Sequence, residues 1–328
     1  MNSLGRKFIV SIFGESHGIN IGVTIDGTPS GIKLSEEDFT QDIDRRKPTA
    51  KGTTSRKETD TPRIVSGVYN GHTTGAPITI LFDNNNTISN DYKNLTDHPR
   101  PSHADFVAKT KFNGNNDPRG GGHFSGRITL TLVAAGVIAK KILAVNNVNI
   151  NAKIVSIAGQ DVSKTPEIIE NALSKSDSVG GVVQCTVNGV NVGLGEPFFD
   201  SVESKISHAI FSVPAVKAIE FGTGFDIANL PGSIANDTII DQKGTTLTNH
   251  NGGIVGGITN GNDIVFKVAI KPTPSIAKEQ MTFNFNSNSV EKLSIKGRHD
   301  ACITLRTPVI IEAATAIALT DLMLICSN

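Results

Sequence analysis

Apolar positions along the chain follow two rhythms. Over Ile78–Phe82, Ile150–Ile157 and Ile264–Ile270 short runs rich in β-branched residues predict strands. Gly22–Leu34 (GVTIDGTPSGIKL) and Gly181–Gly195 (GVVQCTVNGVNVGLG) each read as an alternating strand, a tight turn and a second short strand. Asp26-Gly27 and Asn188-Gly189 are the turn signals, because such pairs tolerate the positive φ that two-residue hairpins need. The likeness of these two stretches predicts an internal duplication. Three segments read as helices. Arg127–Leu143 is apolar around most of its circumference until Lys140 and Lys141, which predicts burial on several sides. The helix beginning near Pro308 has the same character, and proline suits a first helical turn. Ser201–Phe211 is more amphipathic. Two nearly all-apolar helices among many strands predict an α+β fold, a β-α-β sandwich with central helices flanked by antiparallel sheets.

Composition narrows the function classes. The chain has 328 residues, with 31 Lys+Arg against 31 Asp+Glu, no Trp and two Tyr. Zero net charge and few aromatic platforms oppose a nucleic-acid binder. No Pro/Ser-rich linker divides the chain, so residues 1–328 are expected to form one domain. Cys185, Cys302 and Cys326 form no C-x-x-C pair, which argues against a disulfide framework or structural zinc and for a reducing cytoplasm. The N-terminus lacks the apolar stretch and cleavage site of a signal peptide. In the most apolar segment, Pro308–Cys326, Glu312 and Asp321 leave eight residues between charges. A membrane span needs about twenty apolar residues, so this is expected to be a buried helix and no membrane partner is expected.

Six constellations could carry chemistry. Gly14-Glu15-Ser16-His17-Gly18 places a histidine on tightly turned backbone, where it can exchange a proton near neutral pH. Arg45, Arg46, Lys47, Lys51, Arg56, Lys57 and Arg63 form a basic run opposed only by Glu58 and Asp60, and arginine forks fit carboxylate and phosphate. In Arg100-Pro101-Ser102-His103-Ala104-Asp105 the aspartate could hold the imidazole or cap the next helix. Arg119 and Gly120–Gly122 lead into a buried helix, whose free N–H groups favour anions; a tight turn is the plainer reading. Lys271-Pro272-Thr273-Pro274-Ser275 and Lys296-Gly297-Arg298-His299-Asp300 complete the set. Together they describe a site for a small polyanion undergoing proton transfer. Neither a P-loop nor a dinucleotide fingerprint occurs, and no metal pattern is present.

At these residues the chain resembles the chorismate synthase family. The resemblance rests on FGESHG (13–18), DGTPSG (26–31), RRKP (45–48), SGVYNGHTTGAPI (66–78), RPSHAD (100–105) and RGGG (119–122). It continues through VGLGEPFFD (192–200), NGGIVGGITNG (251–261), KPTPS (271–275) and GRHD (297–300), in order over nearly the full length. It implies the anti-1,4-elimination of phosphate from 5-enolpyruvylshikimate-3-phosphate to give chorismate, the last step of the shikimate pathway, with reduced FMN required. NADPH is the flavin reductant in some members. A homotetramer with inner helices and outer antiparallel sheets is also implied.

By the same resemblance His17 would protonate the leaving phosphate, His103 would stabilise the reduced flavin, and Asp300 would assist proton removal. Arg45, Arg46 and Lys51 would hold substrate or a nicotinamide phosphate, with Arg127 and Arg298 adding cationic contacts. Flavin contacts would come from Arg46, Lys51, His123, Phe124, Ser125, Pro214, Ala215, Gly256, Lys271, Pro272, Thr273, Pro274, Ser275 and Arg298. The chain departs from the pattern at His123-Phe124-Ser125-Gly126-Arg127, where Arg-Ser-Ser-Ala-Arg is usual, at Pro214 for Asn, and at Ser102 for Gly. These changes predict weakened flavin affinity; the alternative reading is a weakened or inactive flavin-binding homologue.

Overall fold

A computed structural model describes residues 2–56, 58–86, 95–295, 297 and 299–326. The first half contains β1 (Ser3–Leu4), β2 (Ile9–Gly14), β3 (Asn20–Asp26), α1 (Thr40–Arg46) and β4 (Arg63–Ile64). A small ribbon, β5 (Val68–Tyr69) and β6 (His72–Thr73), precedes β7 (Ile78–Asp83), α2 (Asp105–Lys111) and the long helix α3 (Thr129–Ala144). The second half contains β8 (Asn149–Ile157), α4 (Thr165–Ser174), β9 (Gly181–Asn188), α5 (Val202–Phe211), β10 (Val216–Phe221) and α6 (Gly232–Ala235). A ribbon of β11 (Ile254–Val255) and β12 (Ile258–Thr259) follows. Then come β13 (Ile264–Ile270), the hairpin β14 (Gln280–Asn284) and β15 (Ser289–Leu293), and helix α7 (Pro308–Cys326).

The halves repeat one topology. One sheet has the order β1-β2-β3-β7-β4 and the other β10-β13-β9-β8, all pairs antiparallel. In both, an antiparallel pair of strands (β2 and β3, β8 and β9) is followed by a helix, an edge strand, an inner strand and a long buried helix. Alternate residues of the strands face inward: Ile78, Ile80 and Phe82 in β7, and Ile264, Phe266, Val268 and Ile270 in β13, are buried. Between the sheets α3 and α7 pack against each other so closely that a Cβ at Gly136 would sit 2.3 Å from the Ala313 Cβ. That contact explains why neither helix has a polar face.

The charges in α7 are anchors. Asp321 Oδ1 accepts the backbone N–H groups of Arg6, Lys7 and Phe8 at 2.7, 2.7 and 3.0 Å. Glu312 accepts Arg45 through both oxygens at 2.7 Å, Lys140 at 2.7 Å and the Ala152 N–H at 2.9 Å. A buried carboxylate is tolerated when its lone pairs are filled in this way. Burial opposes its ionisation, yet Arg45 and Lys140 hold the Glu312 carboxyl below its ordinary range.

The two expected hairpin turns differ from expectation. Neither Asp26-Gly27 nor Asn188-Gly189 returns the chain along the strand it ends; β3 pairs with β2 and β7, and β9 with β8 and β13. The glycines answer a different demand. A Cβ at Gly27 would lie 1.6 Å from the Lys7 carbonyl oxygen, and one at Gly189 would lie 2.3 Å from that of Asn147. Each glycine lets the strand end pass a neighbouring segment.

Candidate active site

The N-terminal ends of α3 and α7 open on a cavity of about 840 Å³, walled by both halves of the chain. That size suits a small molecule with a cofactor. Arg46, Arg56, Arg100, Arg127, Lys217, Lys271 and Arg306 line it, against the carboxylates Glu58, Asp60 and Asp300. Such an excess of cations favours a polyanion.

His17 stands on the turn after β2. The Gly18 N–H donates to the Glu15 carbonyl at 3.0 Å, closing a turn around Ser16 and His17. Buried Ser16 donates its N–H to the Gly122 carbonyl at 3.1 Å. Arg56 donates to the Ser16 hydroxyl at 2.9 Å and carbonyl at 3.1 Å, and to Glu58 at 2.7 Å. A Cβ at Gly120 would lie 2.5 Å from the imidazole Nε2, and φ there is +61°. Glycine is therefore required on both steric and backbone grounds. The glycine run brings His17 against the cavity wall as well as turning the chain into α3.

His103 is held by the residues around it. Arg100 grips Asp105 with two bonds, Nε to Oδ2 at 2.7 Å and Nη2 to Oδ1 at 2.6 Å, and donates to the Ser275 hydroxyl at 2.9 Å. His103 Nδ1 lies 2.7 Å from Asp105 Oδ1. The same nitrogen lies 3.0 Å from Arg100 Nη2, so a carboxylate and a guanidinium both meet Nδ1, and Nε2 is on the side of Gly121. Burial lowers the imidazole's proton affinity below the ordinary histidine value, with Asp105 opposing and Arg100 adding to the effect. Asp105 itself is held well below the carboxylate range by Arg100 and His103, although burial opposes this.

Asp300 is buried, its Oδ1 accepting the Thr54 N–H at 2.9 Å and its Oδ2 accepting Arg306 Nη2 at 3.0 Å. Arg46 donates to Thr129 Oγ1 at 3.1 Å and to the Gly126 carbonyl at 2.9 Å, with Asp60 3.5 Å from Nη1. Burial and the nearby Arg306 charge push this guanidinium down to about 9. A negative partner relieves such crowding of charge. Lys271 donates to the Ser102 carbonyl at 2.7 Å; burial and then Lys217 lower its proton affinity.

A family model described as chorismate synthase matches residues 8–324. The chain belongs to the chorismate synthase family. A chorismate synthase of Chitinophaga pinensis is 60% identical over 325 residues, covering 99% of this chain and 97% of that protein. One from Thermococcus kodakarensis is 39% identical over 343 residues, covering 98% and 97%. A crystal structure of chorismate synthase superposes with a TM-score of 0.76 at 25% identity, covering 98% of this chain and 93% of that one.

Most residues expected from the family's motifs converge. Arg46, His103, Arg127 and Asp300 line the cavity, as do His123, Phe124, Ser125, Pro214 and Ala215. Lys271, Thr273, Pro274 and Ser275 do as well, whereas Pro272 is not part of the wall. His17 is not itself part of the wall; its imidazole lies against Gly120, which is. Three expected residues lie elsewhere. Arg45 follows the geometry of α1, where consecutive residues point about 100° apart; Arg46 faces the cavity and Arg45 faces Glu312. Lys51 is exposed and pairs with Glu170 at 3.3 Å, because its loop docks on α4, with Gly52 against Ile169. Gly256 turns between β11 and β12. The next carbonyl, of Gly257, caps the start of α5 at Val202, whereas His208 and Phe211 at the other end of α5 reach the cavity. Arg298, Lys296 and Lys57 lie outside the described residues.

Arg306 was missed by motif reasoning. It stands two residues before α7, as Arg127 stands two residues before α3. The internal repeat was the signal that could have found it. Arg56 and Arg100 were visible only as members of their runs.

Proposed function

We propose that this cavity carries out the elimination of phosphate from 5-enolpyruvylshikimate-3-phosphate to give chorismate, with reduced FMN beside the substrate. Family membership over nearly the whole chain makes the protein a carbon–oxygen lyase of the shikimate pathway. The observation that carries the site assignment is the meeting of both helix entrances on one cationic cavity beside His17, His103 and Asp300. The substrate bears two carboxylates and a phosphate, and arginine forks in a desolvated wall suit all three.

The residues fit a flavin. The Thr273 hydroxyl is buried on the cavity wall without a hydrogen-bond partner among the described residues, beside Lys271 and Ser275. Phe124, Val107 and Pro214 add apolar surface. When bound, reduced FMN supplies electron density to the substrate ring and a nitrogen able to take up the C6 proton. His17 donates a proton to the departing phosphate oxygen. His103, whose proton affinity is lowered by burial, can take up a proton when negative charge arrives, and Asp105 stabilises the imidazolium. Asp300 accepts a proton at its carboxylate. Arg46 and Arg56 are the described residues of the basic run that line the cavity, and we assign NADPH or an outside donor as the source of reducing equivalents.

We further assign weakened flavin binding to the 123–126 segment. The His123 ring turns Nδ1 to the Gly14 carbonyl at 2.8 Å and Nε2 to Asn2 Oδ1 at 3.2 Å, so neither nitrogen is left to a ligand. His123→Arg is expected to tighten FMN binding about tenfold, read by fluorescence titration. We also assign a cytoplasmic homotetramer. Phe198 and Phe199 are 85% and 94% exposed, an apolar surface that a second copy would cover.

The decisive assay is anaerobic. Protein, chemically reduced FMN and 5-enolpyruvylshikimate-3-phosphate are mixed, and chorismate and phosphate are followed together. Equimolar appearance of both, abolished with oxidised FMN, is expected. Absence of both from folded, flavin-saturated protein overturns the reading in favour of an inactive flavin-binding homologue.

A further inference from the structure

The turn that carries His17 is held from behind the cavity by a side chain outside its wall. Asn84 follows β7, and its backbone N–H donates to the Ile19 carbonyl at 3.1 Å. Its Nδ2 donates to the carbonyls of Glu15 at 3.0 Å and Gly18 at 2.9 Å, one on each side of Ser16-His17. Its Oδ1 accepts Arg127 Nε at 3.0 Å. The neighbours fix the orientation of this amide, since a guanidinium can only donate and a carbonyl can only accept.

We propose that Asn84 is a positioning residue for His17, joining the turn that bears the imidazole to the cavity arginine Arg127 so that the two keep one spacing. The proposal rests on the reading of His17 as proton donor to the leaving phosphate. Arg56 and the Gly122 carbonyl fix residue 16 alone. Asn84 holds both ends of the turn, which sets where the ring of His17 falls. Displacement of a proton donor by about 1 Å is enough to slow a reaction on the order of a hundredfold.

Two substitutions separate the links. Asn84→Asp keeps an acceptor for Arg127 but sets a carboxylate oxygen against two carbonyls. Asn84→Ala removes both connections. Each is made in the full-length protein, alone and together with His17→Ala, and assayed anaerobically with reduced FMN. Asn84→Asp is expected to lower kcat by about 10- to 100-fold with KM changed by less than about threefold. In the His17→Ala background it should cost nothing further. Equal losses in both backgrounds, or a rise in KM alone, overturn the proposal.

The second readout needs no catalysis. The His17 Cε1–H resonance is followed by NMR in wild type, Asn84→Asp and Asn84→Ala. It should move in both variants while that of His103 stays in place. An unmoved His17 resonance in folded variants overturns the proposal. Should His17→Ala retain the full rate while the resonance still moves, the proton-donor reading fails and the positioning contact stands.

Discussion

Arg127 and Arg306 occupy matching places in the two halves of the molecule, and their surroundings are unlike. Each stands two residues before a long buried helix, lines the cavity and meets a buried aspartate. Arg127 donates from all three nitrogens: Nε to Asn84 at 3.0 Å, Nη1 to Asp60, and Nη2 to the Asp83 carbonyl at 3.2 Å. Arg306 donates to Asp300 through Nη2 at 3.0 Å, and its buried Nε has no partner among the described residues. A buried donor left unbonded costs about 1–3 kcal/mol. The first helix entrance is thus finished structure, and the second retains a donor that no described protein group uses. The repeated topology gives a symmetric frame, and the two ends of the cavity are furnished unequally within it.

The hardest test of that inequality is to remove each arginine. Arg127→Leu leaves Asp60, whose side chain is 3% exposed, with Arg46 at 3.5 Å as its charge partner among the described residues, and deprives Asn84 of its donor. Breaking such a buried pair from one side costs about 3–5 kcal/mol. We expect the urea midpoint to fall accordingly and activity to follow it. A loss below about 1 kcal/mol would show that the first entrance is not settled by this arginine, and the contrast would collapse.

Arg306→Met should act in the opposite proportion. It removes one bond to Asp300, which keeps the Thr54 N–H, and it relieves the unbonded Nε. The expected stability loss is about 1–2 kcal/mol. By contrast kcat/KM should fall about a hundredfold, because the cation belongs to the wall that faces developing charge. Stability losses of equal size in the two variants would mean that both arginines are structural.

Much of this frame was legible beforehand, for physical reasons. Strands at 78–82, 150–157 and 264–270 appear at Ile78–Asp83, Asn149–Ile157 and Ile264–Ile270, because one face of each is buried wherever its sheet sits. The amphipathic helix read over 201–211 appears as α5, Val202–Phe211, with Ser201 capping it by accepting the Ser204 N–H. The supposed hairpin turns misled because local signals cannot reveal that Gly27 and Gly189 face carbonyls from distant segments. At the site, Arg45 and Arg46 are equivalent in a basic run, and only the helix decides which one faces inward. Arg306 sits in ITLRTP, among residues without glycine or a second charge, so nothing local marked it. Asn84 was hidden for a similar reason, since its partners at residues 15, 18 and 127 are remote in the chain.

The smallest effect extends the contrast to the third wall, where Arg100 and Asp105 buttress His103 as completely as its neighbours secure Arg127. Burial outweighs Asp105 and lowers the imidazole's proton affinity in the folded protein. Below its ordinary value near 6.5 the unfolded chain binds a proton that the folded one still declines. The stability tied to His103 is therefore complete above about pH 6.5 and is lost as pH falls toward the lowered folded value. For one proton the slope cannot exceed about 1.4 kcal/mol per pH unit. Urea midpoints at about pH 7.5 and about pH 5 should show His103→Asn losing less stability on acidification than wild type. Asp105 does not blur this difference, because its carboxyl stays ionised through that range. A wild type that loses no more than the variant would mean that the folded protein binds this proton as readily as the unfolded chain does. Asp105 would then offset the burial of His103 in full, and the third wall would hold a proton site as available as a histidine in water.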